Sequence, residues 1–163
     1  MKAADALKMS IDMGRFVGMA YLDDLTDQEL MLRPHPDCNT INWQVGHLVA
    51  AEHQMMEMIA PGSMPALPEG FAEKYSKDTA KSDDASQFAS KQELVDTFEA
   101  QRAATLATLD KMSDDQLAAA APEPMQSYAP TVADVFSMQG SHWLMHAGQW
   151  VIVRRNLGKP AMF

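Results

Sequence analysis

Apolar residues recur at three- and four-residue intervals through four separate stretches of the chain, and strand-like alternation is nearly absent. Leu7, Ile11, Phe16, Met19 and Leu22 give one face of a first helix over about 2–23. Gly14 and Gly18 weaken that helix without ending it, and glycines four apart permit close contact with another helix. A second long pattern, INWQVGHLVAAEHQMMEMIA, opens at Asn39 or Thr40 and stops before Pro61-Gly62. The third starts at the capping box Ser90-Lys91-Gln92-Glu93 and carries Leu94, Phe98, Leu106 and Leu109 towards Met112. The last runs from about Thr131 to Leu157, where Gly158 and Pro160 stop it.

Two short helices punctuate this pattern. Thr26-Asp27-Gln28-Glu29 is a capping box, and Ser113-Asp114-Asp115-Gln116 starts the other. Their surroundings echo one another: LDDLTDQEL at 22–30 resembles LDKMSDDQL at 109–117, and each follows one long helix and precedes the next. Between the halves, residues 62–90 lose all period through Pro65, Pro68 and Gly70. That stretch predicts a long irregular crossover that connects distant helix ends or covers a site. Four apolar stripes joined in this way are buried most simply in an all-α four-helix bundle, with the crossover between long helices two and three.

The length of 163 residues matches one domain, 1–163, and 47% hydrophobic residues suffice for a core. Thirteen Lys and Arg against 22 Asp and Glu leave a net charge of -9, which repels nucleic-acid phosphates and anionic lipid surfaces. No apolar run approaches the roughly 20 residues of a membrane span. Cys38 is alone, so an internal disulfide and an all-cysteine metal site are both excluded. Together with Asp5 and Asp12 in the N-terminal segment, where an export signal needs apolar residues, this predicts a cytoplasmic protein.

Chemistry concentrates in the histidines. His142 and His146, four apart, share one helix face one turn apart, a spacing that can chelate a divalent cation. His47, in the middle of the second long helix, is the natural third ligand in a bundle interior. A solvated or structurally satisfied pair is the alternative that spacing alone leaves open. The zinc-protease motif is ruled out, because HWLMH carries Trp143 where HExxH needs its Glu. His53 falls about 240° round the helix from His47 and is expected to face away, while His35 belongs to a loop. Trp43, Gln149 and Trp150 sit within a turn of the histidines and are pocket candidates, with core packing as the other reading of the tryptophans. Cys38 reads as packing, and Arg154 and Arg155 as complements to the last helix's dipole.

The segments NTINWQVGHLVAAE (39–52) and SHWLMHAGQWVIVRRNLGKP (141–160) resemble the DinB/YfiT-like superfamily of bacterial metal-binding four-helix proteins. The carriers are the N-x-x-x-W-x-x-GHL pattern, the HAGQ run and the closing RR-x-LGKP. In that family one histidine of the second helix and a pair four apart on the last helix bind a divalent metal, which maps onto His47, His142 and His146. The resemblance implies zinc or nickel, then iron or manganese, as the cofactor, and a homodimer. It also implies a transferase that activates a low-molecular-weight thiol at the metal for attack on a small electrophile. A noncatalytic metal- or small-ligand-binding stress protein and a metal-dependent hydrolase are the competing readings.

Overall fold

The computed structural model describes residues 2–163. Its helices are, in order, α1 (Ala3–Asp23), α2 (Asp27–Leu30), α3 (Ile41–Ile59), α4 (Phe71–Lys74), α5 (Lys91–Leu109), α6 (Asp114–Ala118) and α7 (Val132–Asn156). The fold is all-α, and α1, α3, α5 and α7 form the four-helix bundle.

Local chemistry sets the helix starts. Thr40, not Asn39, caps α3 by accepting from the Trp43 N–H at 3.2 Å. Reciprocal capping boxes start α2 at Thr26 and Glu29, α5 at Ser90 and Glu93, α6 at Ser113 and Gln116, and α7 at Thr131 and Asp134. α5 ends at Leu109, short of Met112.

Helix directions follow from the residues that meet. α1 and α7 run parallel, since Ser10 lies against Gly140, Gly18 against Trp143, and the Tyr21 carbonyl accepts from Arg154. α3 is antiparallel to α7, with Gln44 meeting Trp150 and Met55 meeting Gln139. It is parallel to α5, with Asn42 bonded to Ala89 just ahead of α5 and Glu52 bonded to Arg102. Parallel helices cannot be joined by a tight turn. The chain leaving α3, a helix of 19 residues, must travel back about 28 Å before α5 can start, which accounts for the long crossover.

The buried stripe of α1 differs from the sequence expectation. It runs through Ile11, Gly14, Gly18 and Leu22, and Phe16 is turned out to 58% exposure. The reason is the closeness of α7: a Cβ on Gly14 would come within 2.5 Å of the Gly140 carbonyl oxygen, and one on Gly140 within 2.3 Å of the Ser10 carbonyl oxygen. Only residues without a Cβ fit at this crossing.

At mid-bundle a buried polar group joins all four long helices. Arg102 on α5 donates to Glu52 on α3 at 2.9 Å, to the Ile11 carbonyl on α1 at 3.2 Å and to the Gln139 carbonyl on α7 at 3.0 Å. Thr105 donates to the other Glu52 oxygen at 2.7 Å. Arg154 also departs from its expected dipole role. It is buried, pairs with Asp24 and bonds the Tyr21 and Pro160 carbonyls, fastening the end of α7 to the end of α1.

The crossover is more ordered than its broken period suggests. It contains α4 and two 3-10 turns, Lys77–Thr79 and Ala85–Gln87, and it buries Phe71, Tyr75 and Phe88. Trp43 donates its indole N–H to the Ser76 carbonyl at 3.1 Å and the Thr79 hydroxyl at 3.2 Å. The Tyr75 hydroxyl donates to Asn42 at 3.1 Å and accepts from the Ala89 N–H at 2.9 Å. These bonds strap the segment onto α3. No helix among the described residues is long and apolar enough to cross a membrane.

Candidate metal centre

The antiparallel meeting of α3 and α7 sets His47 opposite the pair on α7. Ring centroids lie 5.5 Å apart for His47 and His142, 6.0 Å for His47 and His146, and 5.0 Å for His142 and His146. Each residue offers a ring nitrogen, and the three offered atoms lie within 4.8 Å of one another. All three side chains are half-buried.

Burial sets their protonation. It lowers the His47 imidazole from its ordinary value. His142 is pushed down to about 4, by burial first and then by neighbouring His47. Burial, followed by His142 and His47, brings His146 down to about 4 as well. At neutral pH the three rings are therefore uncharged and present lone pairs to one point. That donor set fits a divalent first-row cation: imidazole nitrogens suit zinc, nickel, iron and copper, and three protein ligands leave coordination positions open.

The rings are held by neighbours. Trp43, one turn before His47, stacks on it with centroids 5.0 Å apart and planes 6° from parallel. Gly46 admits the Tyr75 ring beside α3, since a Cβ there would lie 2.2 Å from that ring. Buried Gln44 fixes His146. Its Oε1 lies 2.9 Å from His146 Nδ1 and accepts from the Trp150 indole N–H at 2.9 Å, while its Nε2 donates to the Asn39 carbonyl at 2.9 Å. Because an indole only donates and a carbonyl only accepts, the amide can point one way. His146 Nδ1 must then carry the hydrogen, which leaves Nε2 as its ligand atom. Sequence reasoning missed Gln44; the signal was its place one turn before His47, with Trp150 one turn beyond His146.

Beside His47 opens a cavity of about 630 Å³ between α3 and the crossover. Ala50, Ala51 and Leu67 give it apolar walls, and Tyr75 closes one side. His53 stands outside the three-histidine cluster, as its angle round α3 predicts, and bonds to Gln101 on α5, yet it also lines this cavity. The angle could not show the cavity, because the crossover wraps α3 and widens the enclosed arc beyond the stripe facing α7.

The other candidates are placed as follows. Trp43 is buried between His47 and the crossover, and Trp150 is buried in the core edge-on to Trp143; neither lines the cavity. Gln149 is half-buried on α7 and also lies off the cavity wall. His35 is exposed in the loop before α3, and Cys38 is free and half-buried there.

The model of the DinB superfamily matches residues 18–150 of the chain. Two solved structures are similar over nearly the whole molecule. A conserved protein from Enterococcus faecalis shares 22% identity, with 98% of this chain and 99% of that one covered and a TM-score of 0.66. YfiT from Bacillus subtilis, a probable metal-dependent hydrolase with an unusual four-helix bundle topology, shares 17% identity, with 96% and 89% covered and a TM-score of 0.64. No curated protein matches the sequence significantly.

Proposed function

The chain belongs to the DinB superfamily, and from that membership and the open three-histidine site we propose that it is a metal-dependent enzyme transferring a low-molecular-weight thiol to a small electrophile. The observation that carries this reading is the convergence of three neutral imidazoles, one of which, His47, also lines a cavity of about 630 Å³. A divalent cation held there, zinc or nickel before iron or manganese, lowers the pKa of a thiol that shares it and supplies a nucleophile at neutral pH.

The chain's own residues do the rest. His47, His142 and His146 hold the cation, and Gln44 keeps His146 in the ligating tautomer. Trp43 keeps the His47 ring from swinging into the cavity. The apolar walls from Ala50, Ala51 and Leu67 receive the electrophile and exclude water from it. Hydrolysis is the second reading, favoured by the similarity to YfiT, which is described as a probable metal-dependent hydrolase. A binding module without turnover, acting in stress response, is the third.

Elemental analysis of untagged protein tests the core of this. Wild type is expected to carry about one equivalent of metal, and His142→Ala and His146→Ala to lose it. Metal-loaded protein is then assayed with a panel of cellular thiols and model electrophiles, and with esters and amides. Turnover with a thiol supports the transferase, thiol-independent cleavage supports the hydrolase, and ligand binding without turnover supports the binding module. Wild type that refuses zinc, nickel, iron and manganese sinks all three metal readings.

The same proposal takes the protein to be a cytoplasmic homodimer. Lone Cys38 supports a reducing compartment. The exposed Met9, Met13 and Phe16 of α1, with Met145 and Ile152 of α7, supply an apolar face for a second copy. A single 18.0 kDa species in sedimentation would exclude the dimer.

A further inference from the structure

The cavity has a second chemical end. His53 and Glu57 stand four residues apart on α3 and both line it, roughly 9 Å along the helix axis from His47 for His53 and further for Glu57. The apolar stretch formed by Ala50 and Ala51 lies between the two ends.

His53 is held as firmly as His146, by the same device. Its Nδ1 lies 3.0 Å from Oε1 of buried Gln101, whose Nε2 donates to the Pro65 carbonyl at 2.8 Å. A carbonyl only accepts, so the Gln101 amide is fixed with its oxygen towards His53, and His53 Nδ1 carries the hydrogen. The neutral ring then offers Nε2 as a hydrogen-bond acceptor. Glu57 accepts from the Gly62 N–H and the Met64 N–H at 2.8 Å each, one on each oxygen. These bonds, Gly62 first, hold its carboxyl below the usual carboxylate range, so it is ionised at neutral pH. Each oxygen keeps further lone pairs. Among the described residues no lysine or arginine lines the cavity.

We propose that this end of the cavity binds the amino group of the ligand, so that the molecule held at the three-histidine site is an elongated one with an apolar middle and a primary amine or ammonium at its far end. An imidazole acceptor and a carboxylate one turn apart form a cradle for a donor-rich cation, whereas a carboxylate in that place would face Glu57 unscreened. The ammonium offers three N–H donors, enough for His53 Nε2, Glu57 and one water. This rests on the reading of the cavity as the ligand site of the metal centre, and the test separates the two.

Metal-free protein is titrated with hexan-1-amine, hexan-1-ol and hexanoate, following by NMR the backbone amide signals of the cavity lining and, where His53 is present, its imidazole ¹⁵N and ¹H signals. The amine is expected to shift His53 and to bind about tenfold more tightly than the alcohol and more tightly still than hexanoate, in line with one charge-assisted hydrogen bond. Glu57→Gln and His53→Ala are each expected to remove most of that preference, lowering the amine's affinity more than the alcohol's. Glu57→Gln keeps an acceptor for only one of the two loop N–H groups, so circular dichroism checks that its fold persists, and His53→Ala, which leaves both loop bonds intact, is the independent variant. Equal binding of amine and hexanoate, absence of amine binding, or an unchanged preference in both variants overturns the proposal. None of these outcomes depends on metal, so failure of the metal reading shows separately in the elemental analysis.

Discussion

Replacing Gln44 with Leu should damage stability and metal affinity by separable amounts. The change removes the one oxygen that takes hydrogen bonds from both His146 Nδ1 and Trp150 Nε1, and the donor to the Asn39 carbonyl. Trp150 is fully buried, so its stranded N–H costs about 1–3 kcal/mol. The His146 ring is half-buried and can turn towards water, which limits its share; the expected loss of stability is about 2–4 kcal/mol. Once released, His146 is free to present either tautomer and to rotate, and loss of such an orienting partner weakens metal binding about 10–100-fold. Trp150→Phe is the control, because it strands part of the Gln44 acceptor but leaves the bond to His146 in place. It should lose stability and keep metal affinity. Urea unfolding measures the first quantity, and competition against a chromophoric chelator the second. A folded Gln44→Leu protein that binds metal as tightly as wild type would refute the orienting role.

Arg102→Met should destabilise by about 3–5 kcal/mol, since it strands buried Glu52, and adding Glu52→Leu should recover much of the loss in denaturant titrations. Gly140→Ala places a methyl 2.3 Å from the Ser10 carbonyl oxygen and must push α1 from α7, at a cost of about 1–3 kcal/mol or more, whereas Gly148→Ala, with nothing within 4 Å, should be neutral or stabilising. In metal-free protein, His142 and His146 titrate at about 4 when folded and near 6.5 when unfolded, so the unfolded chain binds more protons between those values. Stability is then full above pH 6.5 and falls as the pH drops towards 4; a flat thermal midpoint across that window would contradict the assigned burial of the pair.

Helix order and caps were legible because they rest on local rules: Thr40, Ser90 and Thr131 bond to N–H groups within three residues of themselves. The meeting of α3 with α7 was legible for a different reason, since antiparallel bundle helices set a mid-helix histidine against a pair one turn apart. What escaped depends on contacts between distant parts of the chain. Phe16 fits the apolar period of α1 as well as Gly14 does, and only the nearness of Gly140 decides which of them faces inward. The cavity beside His53 escaped because Phe71 and Tyr75 were hidden in a stretch rich in Pro, Lys and Ser, yet they pull that stretch over the helix. Gln44 and Gln101 carry no periodic signal, and their part in the site follows from a carbonyl or an indole that fixes which way each amide points.

The parallel pairing of α1 with α7 also has a temporal side. Gly14 and Gly140, which touch, are separated by about 125 residues of chain, and synthesis at about 5–20 residues per second leaves the first helix without its partner for on the order of ten seconds. During that interval α3 and α5 can align, because their crossover is complete, but the groove that α7 fills stays open. His47 waits likewise for His142 and His146. α7, which leaves the ribosome after the other three long helices, therefore closes the core and the cation site in one event, so a chain truncated before α7 should neither fold nor retain metal.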